Sequence, residues 1–190
     1  MLTICDTCST MMVIRIAPQM YTGEPYECET LIEIRHEILR TQKFKEKYPW
    51  RKEFKDKIHA LSDTQVNTGG FKNYLDVMQI LLKNITIDEA TGKAFNLSQV
   101  DQKILARALD KQAAICTGDK GLIRFAKQEF EFTNIISSLG LVNIWLRKGL
   151  IQLNDVRLVF DDWKKLGEAS QPQEDIKAFE KLTRMKYSGV

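Results

Sequence analysis

The sharpest change of hydrophobic pattern in this chain lies in Ala114-Ile115-Cys116-Thr117-Gly118-Asp119-Lys120-Gly121-Leu122-Ile123-Arg124-Phe125-Ala126. A short apolar run stops at the turn Thr117-Gly118-Asp119, and apolar residues then resume at helical spacing. This change is typical of a strand that leads through a turn into a helix. The stretch therefore predicts one strand–turn–helix unit, with Asp119 at the junction.

Three other acidic residues occupy comparable junctions between predicted elements: Asp6, Glu37 and Asp101. Asp6, for example, ends the short apolar strand predicted for residues 2–6. Ligands of open α/β sheets bind beyond the carboxyl ends of the strands. Carboxylates gathered at that edge repel one another unless a hard cation lies between them. A divalent-metal site is therefore the first functional hypothesis.

Helices and short apolar strands alternate along the whole chain. Strand patterns occur at residues 2–6, 26–29, 113–117 and 131–132. Apolar residues recur at helical spacing in residues 9–16, 51–61, 71–82, 120–128, 134–148, 154–166 and 172–185. This alternation predicts an α/β fold whose small, mostly parallel sheet is flanked by helices.

Two further helices are predicted from capping signals. Thr30 precedes Glu33 at the spacing of a capping box, so we expect a helix to begin there. Glu37 follows Glu33 by about one turn on nearly the same face, and the capping role of Glu33 makes Glu37 the preferred site residue. Ser98 is expected to cap the other helix, with Asp101 in its first turn.

Length and composition predict one well-cored domain with a small appendage. The chain has 190 residues, of which 44% are hydrophobic and 28% are charged, values that are ordinary for a globular protein. We expect a main domain over residues 1–166 and a C-terminal helical extension over residues 167–190. No segment approaches the roughly 20 consecutive apolar residues of a membrane helix, and no leader precedes the first strand, so we expect a cytoplasmic protein.

The cysteines are expected to be reduced structural thiols rather than a metal or redox site. Cys5 and Cys8 have CxxC spacing, but the chain has no second such pair. Cys5 and Cys116 fall within apolar strand patterns, where cysteine commonly serves as a small buried hydrophobe.

A basic segment rich in aromatic residues extends from Arg40 to Lys57, with eight basic and three acidic residues. Lysine and arginine in such a segment can contact phosphates, and aromatic rings can stack on unpaired bases. The alternative is an ordinary solvated helix face with packed aromatic side chains. The candidate nucleic-acid contacts are Lys43, Lys47, Tyr48, Trp50, Arg51 and Lys52.

Four acidic motifs occur in chain order, namely Ile4-Cys5-Asp6-Thr7-Cys8-Ser9, Thr30-Leu31-Ile32-Glu33-Ile34-Arg35-His36-Glu37-Ile38, Leu97-Ser98-Gln99-Val100-Asp101 and Thr117-Gly118-Asp119. Through these motifs the chain resembles the PIN-domain nucleases, from residue 2 to about residue 165. One position departs from the pattern, because the family usually has Asn or Ser where this chain has Cys8.

The resemblance implies a three-layer PIN-like fold and metal-dependent hydrolysis of RNA phosphodiester bonds by an endoribonuclease. The metal ligands for Mg²⁺ or Mn²⁺ would be Asp6, Glu37, Asp101 and Asp119, all of which belong to the catalytic set. Glu37 would complete this set or orient the attacking water. Thr117 would hydrogen-bond a carboxylate or that water. An inhibitory antitoxin-like protein is an implied partner, and the apolar helix faces favour a homodimer.

Simpler roles and other functions stay open for the same residues. Asp6, Asp101 and Asp119 also fit ordinary residues of turns and helix starts. The departure at Cys8 favours a non-catalytic RNA-binding or assembly module with the same fold. A phosphatase with Asp6 as its nucleophile is a third class, but position 8 holds cysteine instead of the second aspartate such enzymes use.

Overall fold

The expected α/β fold is confirmed by the structure, a computed structural model that describes residues 1–21, 28–58, 60–168 and 170–187. The side chains of Lys43 and Asp63 lie outside this description, as do the first two residues of the strand predicted at 26–29. The strands, in chain order, are β1 (Thr3–Cys5), β2 (Cys28–Leu31), β3 (Ala60–Leu61), β4 (Ile87–Asp88), β5 (Lys93–Ala94), β6 (Ala114–Cys116) and β7 (Ile135–Ile136).

The central sheet has five strands in the order β3-β2-β1-β6-β7, and every neighbouring pair is parallel. The strands β4 and β5 form a separate antiparallel hairpin. β1 and β6 are buried along their whole length, which agrees with the apolar sequence of β6 and with the β-branched and apolar residues of β1. The prediction of a small, mostly parallel sheet is therefore confirmed.

Helices flank this sheet and supply the connections between its parallel strands. They are α1 (Thr7–Val13), α2 (Ile32–Arg40), α3 (Gln42–Lys47), α4 (Asp63–Val66), α5 (Gly69–Lys83), α6 (Gln99–Lys111), α7 (Lys120–Phe130), α8 (Ser138–Arg147), α9 (Leu153–Lys165) and α10 (Gln173–Thr183). Helix α6 packs against β1 and β6, whereas α1 packs against α2 and α8. Among the described residues, no helix has both the length and the apolar composition needed to cross a bilayer.

The pairing of β1 with β6 brings distant junction residues together. Thr3 lies opposite Ala114, and Cys5 lies opposite Cys116. The backbone N–H of Asp6 continues the ladder by donating to the Cys116 carbonyl at 3.1 Å. Because the two strands run in the same direction, the residues that follow them meet at one edge of the sheet.

The capping box predicted at Thr30 is wrong. Thr30 belongs to β2, where it is buried opposite Ala60, and its hydroxyl donates to the Cys5 carbonyl at 3.3 Å. Helix α2 instead begins at Ile32, after Leu31, which provides no side-chain cap. A β-branched residue is well suited to a buried strand, and sheet pairing therefore outweighs the local capping signal. The cap predicted at Ser98 is confirmed, with a complete capping box to Asp101.

The helix predicted for residues 51–61 is also wrong. This stretch begins inside a 3₁₀ helix, Pro49–Phe54, and ends in the edge strand β3. The reason lies in Arg51, whose Nε donates to the Ile38 carbonyl at 2.9 Å and whose side chain is only 2% exposed. Its Nη1 donates to the Tyr48 carbonyl at 3.3 Å, whereas its buried Nη2 has no partner among the described residues. Burial makes a guanidinium depend on acceptors within the protein, and the bond to Ile38 holds the segment against α2.

The strand predicted at residues 131–132 lies further along the chain, as β7. Helix α7 extends to Phe130 and ends at Glu131, whose φ of 50° is left-handed. This residue caps the helix by donating its backbone N–H to the Ala126 carbonyl. The cap of the helix thus occupies the first residue of the stretch that the sequence pattern assigned to a strand.

The C-terminal helix α10 shares the core of the preceding helices. Its buried residues Ile176 and Phe179 belong to the main hydrophobic cluster, and α10 packs against α8. The Phe179 ring lies 5.2 Å from that of Phe160, centroid to centroid, and Tyr187 closes the same aromatic group. The boundary at residue 166 stays a prediction, although the core continues across it.

We expect Phe179→Ala to lower the free energy of unfolding by about 3–5 kcal/mol, because it removes a buried ring and leaves a cavity. Leu182→Ala is the matched control on the same helix, since Leu182 is 39% exposed and should cost less than about 1 kcal/mol. Urea denaturation of both variants measures the difference. Equal, small effects would mean that α10 does not stabilise the core.

Candidate functional site

The four predicted carboxylates line one pocket at the carboxyl ends of β1 and β6. Its volume is about 940 Å³, which is within the range of ligand-binding clefts. The predicted site residues that line it are Asp6, Glu37, Asp101, Thr117 and Asp119. Four separate segments of the chain therefore contribute acidic side chains to one cleft, as expected for a ligand site at this edge of an α/β sheet.

Asp6 is held in place by hydrogen bonds to both carboxylate oxygens. As the N-cap of α1, it accepts a hydrogen bond from the Ser9 backbone N–H at 2.6 Å through Oδ1. Its other oxygen, Oδ2, accepts from the Thr117 hydroxyl at 2.5 Å. The carboxylate of β1 is therefore bonded directly to the turn that follows β6.

Burial raises the pKa of the Asp6 carboxyl above its usual value of 3.8, and the nearby charge of Asp101 acts in the same direction. The hydrogen bonds from Thr117 and Ser9 stabilise the ionised form and offset part of this effect. The net result is a carboxylate that lacks full electrostatic compensation from the protein. Perturbed groups of this kind are concentrated at functional sites.

Thr117 connects the carboxylates on either side of it. Its Oγ donates to Asp6 and accepts from the Asp119 backbone N–H at 3.0 Å. Asp119 is the N-cap of α7, where its Oδ1 accepts from the Leu122 N–H at 2.8 Å. A Cβ at Gly121 would lie 3.1 Å from that oxygen, so a side chain there would crowd the Asp119 carboxylate.

Asp101 and Glu37 reach the pocket from α6 and α2. Asp101 Oδ2 accepts from both the backbone N–H of Ser98, at 3.1 Å, and its hydroxyl, at 2.7 Å. Glu37 Oε2 accepts from the Thr7 hydroxyl at 2.6 Å. Glu33 lies outside the pocket lining and forms an ion pair with Lys103. This placement supports the choice of Glu37 over Glu33.

Three of the carboxylates keep an oxygen available to a ligand. Within the described residues, no side chain or backbone N–H donates to Glu37 Oε1, Asp101 Oδ1 or Asp119 Oδ2. None of the four carboxylates forms an ion pair with a lysine or arginine in that part of the chain. Negative charge in the pocket is therefore neutralised very little by the protein itself.

This donor set suits a hard divalent cation, because every available ligand atom is an oxygen. In the described part of the chain, no three carboxylate, thiolate or imidazole groups converge closely enough to hold one metal ion in common. Mg²⁺ usually keeps several waters and takes only one or two protein carboxylates. The residues present therefore fit a hydrated Mg²⁺ or Mn²⁺ ion better than a closed cage of protein ligands.

The connection from α9 to α10 forms one wall of the pocket, which sequence reasoning missed. The residues of this wall are Gly167, Glu168, Ser170, Gln171 and Pro172. Glu168 forms an ion pair with Lys47 and accepts a hydrogen bond from the Tyr48 hydroxyl at 2.6 Å. These contacts anchor the wall to the basic segment, and nothing local in the sequence around Glu168 indicates them.

Two other pocket residues could have been found from sequence. Thr7 follows Asp6 directly in the first motif, and its hydroxyl binds Glu37. Lys120 follows Asp119 and is the one basic residue among the described residues of the lining. Cys8, the departure from the family pattern, is exposed and also lines the pocket.

Most of the candidate nucleic-acid contacts that the structure describes have structural partners. Tyr48 and Arg51 are buried, and Trp50 packs between the rings of Tyr48 and Phe54. Lys47 pairs with Glu168, whereas Lys52 is exposed. Direct contact with nucleic acid stays a prediction for this segment, and the burial of Tyr48 and Arg51 favours the packing alternative for those two.

The candidate Lys43 cannot be placed, because its side chain lies outside the described residues. Three of the cysteines, Cys5, Cys28 and Cys116, are buried thiols within the central strands. The hydrogen bond to Cys5, together with burial, raises the pKa of the Cys116 thiol well above its usual value. A protonated, enclosed thiol is a poor nucleophile and metal ligand, as expected of a structural cysteine.

Comparison of the chain with models of protein families, with curated proteins and with solved structures found no match. The geometry and chemistry of the pocket are therefore the basis for assigning a function.

We expect Asp6→Asn to raise the free energy of unfolding at neutral pH when divalent cations are absent. The folded state holds the Asp6 proton more tightly than the unfolded state, so ionisation costs stability as the pH rises through the folded pKa. The gain should disappear below about pH 4, where the carboxyl is protonated in both states. Urea denaturation of the wild-type protein and of Asp6→Asn, at several pH values in a chelating buffer, measures this gain in the free energy of unfolding.

Asp162→Asn is the control of opposite sign. The hydrogen bond from Arg15 lowers the pKa of Asp162, so its ionised form stabilises the fold and its replacement should destabilise the protein at neutral pH. That loss should fade as the pH falls through the folded pKa. Destabilisation of both variants at neutral pH would contradict the description of Asp6.

Proposed function

We propose that this protein is a PIN-domain nuclease, a Mg²⁺- or Mn²⁺-dependent endoribonuclease. One observation carries the proposal: one acidic residue from each of four motifs, matched in order along the chain, lines a single pocket without a cationic partner among the described residues. Structural carboxylates are usually paired or solvated separately. A cluster left negative at the edge of a parallel sheet is better explained by a metal-dependent reaction.

Charge in the pocket also favours a metal-dependent reaction. The described lining carries five carboxylates, including Glu168, and one ammonium group, that of Lys120. A polyanionic substrate such as RNA would be repelled from such a surface unless cations neutralised it. Cation binding and substrate binding should therefore be coupled in this protein.

The residues divide the catalytic work by position. Asp6, Asp101 and Asp119 would hold the metal, directly or through waters, while the Thr117 hydroxyl bonds Asp6 and the Asp119 backbone and so fixes their orientation. When bound, the metal lowers the pKa of a water molecule and neutralises charge on the phosphate in the transition state. Glu37, held by Thr7, completes the acidic set or orients the attacking water. Lys120, at the start of α7, is placed to contact a substrate phosphate.

RNA as the substrate and an inhibitory antitoxin-like partner belong to this proposal through the family resemblance. A cytoplasmic location belongs to it as well. The buried thiols of Cys5, Cys28 and Cys116 support that location, because thiols persist in a reducing compartment.

The second candidate is a non-catalytic RNA-binding or assembly module with the same fold. Two observations favour it: Cys8 in the first motif, and the lack of three converging metal ligands among the described residues. The two candidates differ in whether the pocket binds Mn²⁺ and whether bound RNA is cut.

The wild-type protein should cleave labelled single-stranded RNA in Mn²⁺, and Asp6→Asn or Asp119→Asn should reduce the rate at least about 100-fold. Thr117→Val should cost roughly 10–100-fold, as is typical when the hydrogen-bond partner of a metal ligand is lost. Gel-resolved cleavage kinetics measure the rates, and circular dichroism verifies that each variant is folded. Cleavage that survives both aspartate variants would rule out this site.

Two matched pairs of variants distinguish the loss of a site carboxylate from a general effect on the fold. Asp101→Asn should abolish cleavage, whereas Asp155→Asn should not, although both residues complete capping boxes at helix starts. Glu37→Gln should reduce cleavage, whereas Glu33→Gln, one turn away, should leave it nearly unchanged. Equal losses within either pair would mean that the effects arise from the fold.

Mn²⁺ should raise the melting temperature of the wild-type protein. A ligand at one hundred times its Kd stabilises the native state by about 2.7 kcal/mol, which corresponds to roughly 5–10 °C for a chain of this size. The Asp6→Asn/Asp119→Asn double variant should lose this shift, and Asp155→Asn should retain it. No shift in the wild-type protein, together with salt-sensitive RNA binding, would favour the non-catalytic module.

A further inference from the structure

The outer surface of α5 and of the loop that follows it is unusually apolar. Eight large hydrophobic residues of the described chain are exposed, and four of these fall within residues 77–87. They are Val77, 45% exposed, Ile80, 58%, Ile85, 66%, and Ile87, 47%. Single exposed hydrophobic residues are common, but clustered ones indicate an interaction surface.

The α5 residues among them lie on a face that the core does not need. Phe71 and Met78 are the buried residues of this helix. The opposite face, at a spacing of 3.6 residues per turn, carries the exposed residues Asn73, Asp76, Val77, Ile80 and Lys83. A helix that meets only solvent on this side would carry polar residues there. Two branched apolar residues occupy its centre instead.

The loop after α5 exposes a further β-branched residue, Ile85, whose backbone conformation is unfavourable. Ile85 has a φ of 55°, in the left-handed region that glycine usually occupies. For a β-branched residue this conformation is a true outlier, and it is tolerated only where the surrounding structure or a function requires it. Because the Ile85 side chain is mostly exposed, it packs little against the core. Contact with a partner would explain why isoleucine occupies this position.

Opposite charges on the same face lie on either side of Ile80 along the helix. Asp76 lies four residues before Ile80, and Lys83 lies three residues after it, so both are on the same side of α5. Within the described residues, neither Asp76 nor Lys83 forms an ion pair. The helix therefore carries an unpaired negative charge before its apolar centre and an unpaired positive charge after it.

We propose that this face binds a second copy of the same chain, with the two α5 helices antiparallel across a twofold axis near Ile80. Asp76 then faces the partner's Lys83, and Lys83 faces the partner's Asp76, while Val77 and Ile80 meet at the centre. A twofold interface requires such self-complementarity, because the same patch contributes both sides. Opposite charges around an apolar centre satisfy this requirement.

This assignment extends beyond the proposed nuclease activity, because the surface that it uses does not overlap the acidic pocket. No residue of α5 or of the following hairpin lines that pocket among the described residues, and α5 packs against α6 with its other face. Nucleic acid is a poor match for a surface whose centre is apolar and whose two flanking charges cancel. A protein surface with the same pattern is a good match.

Sedimentation velocity in a chelating buffer without RNA tests the dimer independently of any activity. The wild-type protein should sediment as a dimer at tens of micromolar, and Ile80→Asp should raise the dimer Kd at least about tenfold by placing charge at the centre of the interface. Leu158→Asp is the matched control, because Leu158 is 76% exposed on α9 and should not alter the mass.

A charge exchange tests the antiparallel pairing itself. Asp76→Lys should weaken the dimer, because two lysines then meet at each end, and the Asp76→Lys/Lys83→Asp double variant should restore most of the lost affinity. A wild-type monomer at the same concentration, or a dimer unaffected by Ile80→Asp, would overturn the proposal. If the double variant is weaker than Asp76→Lys, the antiparallel pairing is wrong.

Discussion

The parallel pairing of β1 with β6 is the constraint on which the candidate site depends. It places Asp6 and Thr117, 111 residues apart in sequence, at the same edge of the sheet, where the Thr117 hydroxyl bonds Asp6 at 2.5 Å. Through the same hydroxyl, the turn before α7 orients Asp119. With the two strands antiparallel, these residues would lie at opposite edges and no acidic cleft could form.

Gathering several carboxylates in one cleft costs folding free energy, and this cost indicates that the cleft has a functional role. Burial raises the pKa of Asp6, and the nearby charge of Asp101 adds to the effect. Natural proteins tolerate such local costs chiefly at functional sites. The capping bonds that hold Asp6, Asp101 and Asp119 keep these charges fixed instead of allowing them to separate, as the proposed cation site requires.

Sequence signals predicted a turn or a helix cap correctly where the stabilising contacts join residues that are close in sequence. The turn before Asp119 and the cap at Ser98 involve residues within four positions of each other, and the structure has both. Thr30 failed as a cap because a buried position in the sheet was worth more than one capping bond. The predicted helix at residues 51–61 failed because the buried Arg51 binds the Ile38 carbonyl, a contact that periodicity cannot reveal.

Alternating strand and helix patterns were enough to establish the α/β class, and they also identified the carboxylates that end up in the pocket. These properties follow from neighbouring residues, since periodicity and turn chemistry act over a few positions. Only long-range packing placed Glu37 in the pocket and Glu33 outside it, in an ion pair with Lys103. Packing also brought Glu168 to the wall of the pocket and left one face of α5 apolar and exposed. Each of these outcomes depends on which distant surfaces come into contact, and a linear pattern of residues does not specify that.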